Sequence, residues 1–198
     1  MLLSTNPIAV AIPAKENPPI ILDMATTVAA YGKVKTAAQR GEQMPEGWMV
    51  DATGQPLTDP TRAAEGFLLP IGGAKGYGLA LIFGILAGVL NGAAFGRDVV
   101  DFNADDATTT NTGQFILALD IKAFADVERF KDGIDKVYTE MKASPRMTGV
   151  DEIRLPGERL SRIRADRAVN GIPMPQSLSD QLSTLAVKLG IPPLSLQT

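Results

Sequence analysis

A chain of 198 residues with neither cysteine nor histidine has no disulfide staple and no thiolate or imidazole metal ligand, so its fold must rest on buried apolar surface. The length suffices for one sizeable domain or one and a half. Apolar residues make up 45% and charged residues 21%, which is ordinary globular usage and argues against disordered or fibrous classes. Formal net charge is −3 and the 19 lysines and arginines are scattered, so no nucleic-acid partner is expected. No metal is expected either.

The start, Met1-Leu2-Leu3-Ser4-Thr5-Asn6-Pro7, has no basic region and no long apolar core, so a signal peptide is not expected. Together with the absent cysteines this points to a cytoplasmic protein. The one membrane-like stretch, residues 76–90, holds three glycines beyond Gly76 and stops at Lys75 and Asn91. It falls short of the roughly 20 apolar residues that spanning requires, so a buried helix and no membrane partner are expected.

Ile8, Val10 and Ile12 alternate with alanines between Pro7 and Pro13, which predicts a strand. Ile20-Ile21-Leu22 predicts a second, ending at Asp23, with Thr26 or Thr27 capping a helix that stops at Gly41. Residues 44–60 should be turn and short hairpin anchored by Trp48, and Asp59-Pro60 should open a short helix. A helix over residues 75–90 follows, with Gly84, Gly88 and Gly92 four apart for close packing. Residues 101–113 read as a surface loop, 114–121 as the clearest strand of the chain, and 124–142 as an amphipathic helix ended by Ser144-Pro145. Pro156-Gly157 is a turn, residues 158–170 a basic helix, and Ser177 the cap of a last helix.

Three places can carry chemistry. In Ile71-Gly72-Gly73-Ala74-Lys75-Gly76-Tyr77-Gly78, backbone amides, a helix start and an ammonium can converge on a phosphate, or the glycines can serve helix packing alone. Asp23, at a strand end, can accept ribose hydroxyls or cap the next helix. Arg154-Leu155-Pro156-Gly157-Glu158-Arg159 can clamp an anion between two guanidiniums or be a solvated turn with surface ion pairs.

Thr5-Asn6-Pro7, Leu22-Asp23-Met24-Ala25-Thr26 with Gly32-Lys33-Val34, Pro45-Glu46-Gly47-Trp48, Thr58-Asp59-Pro60, Gly73-Ala74-Lys75-Gly76-Tyr77-Gly78-Leu79, Leu155-Pro156-Gly157-Glu158 and Asn170-Gly171-Ile172-Pro173 together resemble the malate/L-lactate dehydrogenase family. Each motif is short; their shared order over nearly the whole chain is specific. The resemblance implies an α/β fold of the α+β type: a mixed, mainly antiparallel sheet flanked by helices, with a helical C-terminal part, rather than a Rossmann fold. It implies a nicotinamide-binding domain over residues 1–145, incomplete at its N-terminus, with residues 146–198 as a C-terminal helical segment completing the family's N-terminal domain. It also implies a homodimer.

By the same resemblance Asp23, Met24, Ala25, Ala74 and Lys75 contact NAD or NADP, and the turn of Arg154, Pro156, Gly157, Glu158 and Arg159 closes over it. Thr5 and Tyr31 would line the pocket for a small 2-oxo or 2-hydroxy acid. Lys33 stands where cyclic-imine reductases carry an aspartate, which places the chain nearer the malate/lactate branch, and Ala74 replaces a bulkier polar residue of several relatives.

Hydride transfer needs a proton donor, usually histidine, and the family's histidine has no counterpart here. Lys33, Lys75, Tyr31 and Tyr77 are the remaining candidates, none with comparable support, so the catalytic residue is unassigned. The expectation is a fragment or split subunit of an NAD(P)-dependent 2-hydroxy-acid oxidoreductase, inactive alone, with a separate N-terminal polypeptide as partner. The alternative is a non-catalytic nucleotide-binding or dimerising remnant.

Overall fold

The run after Pro7 and the run after Pro19 find each other. β1 (Ile8–Ile12) and β2 (Ile20–Met24) pair antiparallel, with Val10 opposite Leu22 and Ala9 opposite Asp23. The structure is a computed structural model and describes residues 3–101 and 107–194. It divides into two compact units, Met1–Gly157 and Glu158–Thr198. The sequence expectation put the boundary after residue 145.

In the first unit, α1 (Tyr31–Arg40) begins later than Thr26 or Thr27 would dictate. Neither threonine caps it. Thr26 gives both its N–H and its hydroxyl to the Thr5 carbonyl, and the Thr27 hydroxyl bonds the Ala29 carbonyl. Tertiary partners therefore hold both residues outside the helix, and Ala30 takes the cap position without a side-chain bond. The expected stop is found: Gly41 is left-handed at φ 65 and donates to the Ala37 and Ala38 carbonyls.

β3 (Met49–Asp51) and β4 (Gly66–Leu68) form a second antiparallel pair, so the expected antiparallel architecture is present as two small two-stranded sheets. Between them Pro60–Glu65 is a 3-10 helix rather than an α-helix, opened as expected by the Asp59 carboxylate accepting the Thr61 N–H. Val34, Ala37, Met44, Met49, Leu57 and Ala63 pack into one core. Met49, at 1% exposure, is its deepest large side chain, while Trp48, the expected anchor, lies half-buried against it.

Two expectations fail for the same reason. α2 (Ala74–Ala87), continued by the 3-10 turn Val89–Asn91, is not a buried helix: Tyr77, Ile82, Ile85 and Leu90 are exposed, and within α2 only Gly76 and Ala80 are buried. Ala74–Asn91 is the one helical stretch among the described residues long and apolar enough to cross a membrane by length and composition. Its regular part, however, ends at Ala87, about 21 Å at 1.5 Å per residue against a core of about 30 Å. Residues 114–120 form no strand, and Ile121–Ala123 is a 3-10 helix. Periodicity states which surfaces want burial; no neighbouring element among the described residues supplies it here. Gly88 caps α2 against the Ala94 carbonyl, and Gly92 adopts a left-handed turn beyond the helix, so the three glycines do not share one helical face.

The loop over residues 101–113 is exposed at its described ends; Asn103, Asp105 and Asp106 lie outside the described residues. α3 (Val127–Ala143) starts at Asp126, whose carboxylate accepts the Arg129 N–H, and ends at Ser144. It is clipped to the β1–β2 connection, where Asp135 accepts N–H groups of Glu16 at 2.9 Å and Asn17 at 3.1 Å, and Lys15 pairs with Asp132 at 2.9 Å. The bond from Glu16, followed by those from Asn17, holds the Asp135 carboxyl below its ordinary value of 3.8. A carboxyl depressed in the folded state stabilises above the unfolded value and loses that contribution as pH falls through the folded one. Asp135→Asn should therefore lower the urea midpoint at pH 7, with the difference from the parent shrinking below about pH 4. Parallel urea titrations at neutral and acid pH measure this; a difference independent of pH would contradict it.

In the second unit α4 (Glu158–Asn170) has the expected span, and its Glu158 carboxylate pairs with Arg162. α5 (Gln176–Leu189) takes Pro175 as its cap position, so Ser177 lies inside the helix rather than at its start. Fixed φ at Pro175 begins the helix before the serine is reached.

Candidate functional site

The centre of the first unit is a backbone lacing between the segment after β2 and the segment before α2. Ile71 donates to the Thr26 carbonyl at 3.0 Å, Val28 to the Leu69 carbonyl at 2.8 Å, and Thr27 bridges Pro70. Asp23, Met24 and Ala25 immediately precede this lacing, and Gly72 to Lys75 immediately follow it. Two segments far apart in sequence thus leave one junction.

A third strand of chain joins them. The Thr5 carbonyl receives the Thr26 N–H at 2.8 Å and the Thr26 hydroxyl at 3.0 Å, while Asn6, at φ 29, donates its side-chain amide to the Ala80 carbonyl of α2 at 2.8 Å. Between the three segments lies a cavity of about 340 Å³ lined by Ser4, Thr26, Thr27, Pro70, Tyr77 and Ala80 among others. A larger hollow of about 560 Å³ follows the single turn from Lys122 to Glu128, with no converging elements, and has no part in the site.

The glycine segment does both things that its composition permits. Gly72 and Gly73 turn at φ 58 and 62, conformations a side chain would strain, and place Ala74 as the first residue of α2 with no side-chain cap on Gly73. Gly76 is the packing residue: a Cβ there would lie 2.0 Å from the Ile71 carbonyl oxygen. Lys75, in the first turn, is exposed and forms no ion pair among the described residues. A phosphate would meet there an ammonium and the positive end of a helix.

Asp23 is exposed on β2 and caps no helix, since α1 starts at Tyr31. Met24 and Ala25 are half-buried between it and the lacing. Tyr31 opens α1, with the Lys35 ammonium 5.6 Å from its ring centroid. At the far end of the unit the Pro156 carbonyl accepts the Ile21 N–H at 3.1 Å, and Gly157, at φ 87, lies so close that a Cβ would meet Ile21 at 2.9 Å. The turn is therefore fastened to β2, two residues before Asp23. Arg154 pairs with Glu152 at 3.2 Å. Glu158 and Arg159 belong to the second unit, where Glu158 is 9% exposed and Arg159 is exposed.

Sequence reasoning missed the pocket roles of Thr26, Thr27 and Ala80. Two adjacent threonines at a strand end read as caps by local preference; their real partners, Thr5 and Pro70, are visible only in three dimensions.

The geometry matches known proteins. Residues 1–183 fit the malate/L-lactate dehydrogenase family. A malate/(S)-sulfolactate dehydrogenase of Methanothermus fervidus is 38% identical over 190 residues, which are 96% of this chain and 54% of that one. A (2R)-3-sulfolactate dehydrogenase (NADP(+)) of Chromohalobacter salexigens is 34% identical over 94% of this chain and 53% of its own. Among solved structures, the sulfolactate dehydrogenase of Methanocaldococcus jannaschii superposes with a TM-score of 0.78 at 35% identity, covering 96% of this chain and 54% of that one. The chain spans about half the length of the relatives it matches. With a match over residues 1–183 and the same fold at 35% identity, the chain belongs to the malate/L-lactate dehydrogenase family.

Proposed function

We propose that the chain is the dinucleotide-binding part of an oxidoreductase that passes hydride between NAD or NADP and C2 of a small 2-oxo or 2-hydroxy acid. The observation carrying this reading is the junction at Thr26 and Ile71, from which the aspartate-tipped strand and the glycine-lysine turn both emerge, with a cavity at the junction that is lined by Thr26, Thr27, Pro70 and Tyr77 and not by Asp23 or Lys75. That donor set suits a dinucleotide: a carboxylate for ribose hydroxyls, and an ammonium with a helix start for the pyrophosphate. The nicotinamide, when bound, supplies the hydride.

The residues of this chain then bind and orient. Lys75 and the amide of Ala74 hold negative charge at the start of α2, Asp23 accepts hydroxyl protons, and Met24 and Ala25 present backbone and apolar surface. Thr5, fixed through its carbonyl by Thr26, faces the acid with Tyr31, and Arg154 with the turn Pro156-Gly157 closes the cofactor side. Proton transfer falls to a group from the portion of the family's length that lies outside the match, because this chain has no histidine. The working enzyme is a soluble, cytoplasmic homodimer of that larger assembly.

The missing histidine also favours a second reading, a remnant that binds nucleotide without turnover. NADH and NADPH fluorescence titrations, followed by assays with 2-oxo acids after co-expression with the unmatched half of a relative, separate the two. Turnover only in the co-expressed form supports the oxidoreductase; binding without turnover in either form supports the remnant; no binding in either sinks both. Lys75→Ala should weaken dinucleotide binding about tenfold, the loss of one charge-assisted contact of about 1.4 kcal/mol. The same titration checks it, with circular dichroism confirming that the exposed substitution leaves the fold intact.

A further inference from the structure

The cavity at the junction is walled by Leu3, Phe67, Leu68, Pro70, Tyr77 and Ala80, and no charged side chain among the described residues lines it. Its two threonines offer a ligand no proton. The Thr26 hydroxyl is spent on the Thr5 carbonyl at 3.0 Å and the Thr27 hydroxyl on the Ala29 carbonyl at 2.7 Å, and both residues are buried. The remaining hydroxyls belong to Ser4 and Tyr77, both exposed residues. What the cavity presents is hydrocarbon with spare acceptor lone pairs.

Such walls discriminate by charge. A carboxylate or sulfonate seated there would lose water and gain neither a cation nor a buried donor. A hydrocarbon group, in contrast, gains about fourfold in affinity for each methylene it buries. The volume of about 340 Å³ admits a branched alkyl group or a single ring. The phosphates of a dinucleotide find no partner inside, since Asp23 and Lys75 stand outside the wall. Thr5, read above as facing the acid, is bonded to Thr26 of this wall and follows Ser4 of it in the chain.

We propose that this cavity receives the side chain of the 2-oxo or 2-hydroxy acid and selects acids with a branched alkyl or aryl side chain over acids bearing a second anionic group. The 2-oxo acid head rests on the oxidoreductase reading above; the preference for an uncharged side chain follows from the cavity walls alone.

The test uses the full chain and two 2-oxo acids of like shape, 2-oxoisocaproate and oxaloacetate, which carry an isopropyl group and a carboxylate at the same end. In titrations followed by amide-resolved NMR, 2-oxoisocaproate should move the signals of Thr27, Leu68 and Ala80 and bind at least about tenfold more tightly than oxaloacetate. Phe67→Arg should invert the order, giving oxaloacetate an advantage of about tenfold through one charge-assisted contact. Phe67 is 39% exposed, so this substitution empties no buried core, and Tyr77→Arg, at 53% exposure, repeats the inversion should the first variant fail to fold. Equal affinities, tighter binding of oxaloacetate by the parent, no response to either acid, shifts confined to residues outside the cavity, or an order that neither arginine changes would each overturn the proposal. So would displacement of 2-oxoisocaproate by NADH, because the cavity would then hold the cofactor. Selective binding of 2-oxoisocaproate without any NADH binding keeps the cavity preference and overturns the oxidoreductase, whereas NADH binding without a preference between the acids does the reverse.

Discussion

Replacing Gly76 with alanine should unlace the candidate site. The added Cβ would stand 2.0 Å from the Ile71 carbonyl oxygen and 2.8 Å from its nitrogen, both backbone atoms with no rotamer to retreat into. Ile71 is also the residue whose N–H holds the Thr26 carbonyl, so any shift that relieves the clash pulls the glycine-lysine turn away from the strand end. Overpacking of this kind costs about 3 kcal/mol or more, enough to lower the melting temperature by on the order of 10 °C in a chain of this size. NADH binding should fall with it. Gly78→Ala is the matched control: a Cβ there meets nothing within 4 Å, and alanine inside a helix gains about 0.5–1 kcal/mol over glycine. Thermal melts and titrations of the two variants side by side give the answer, and a Gly76→Ala protein that melts like its parent would remove the argument.

The second large effect lies in the core. Met49→Ala should cost about 2–5 kcal/mol, the range for emptying a fully buried aliphatic site. The core it occupies consists otherwise of Val34, Ala37, Met44, Leu57 and Ala63, with few large side chains able to collapse into the space. The Met49 carbonyl still accepts the Leu57 N–H and its backbone still pairs with Leu68 in the variant, so the loss is one of side-chain packing. Urea unfolding with an unchanged slope and a lower midpoint is the expected signature. A change below about 1 kcal/mol would mean that the core is held elsewhere.

These two residues differ in how far the sequence announces them. Gly76 stands in a glycine-rich motif that draws attention for phosphate binding, yet its closest neighbour is a carbonyl five residues back. Met49 follows Trp48, the more conspicuous candidate anchor, and lies deeper. Fold class, family, the spans of β1, β2 and α4, the end of α1 and the body of α3 were legible because they follow from alternation, helical spacing and a glycine after Arg40, whereas the starts of α1 and α3 were not. All of those signals act within one or two turns of chain.

What lies beyond that reach needed coordinates. The threonines at 26 and 27 looked like caps because cap chemistry is local, while their true partners sit 21 residues upstream at Thr5 and across the junction at Pro70. Residues 114–121 alternate as a strand should, but a strand exists only when a neighbour accepts its hydrogen bonds, and none within the described chain does so. The sequence by itself determined which surfaces seek burial and where segments turn, since side-chain polarity and backbone freedom are properties of single residues. Only the tertiary structure decided which of those surfaces are covered and which segments meet at the site, because pairing is settled between residues that the sequence keeps far apart.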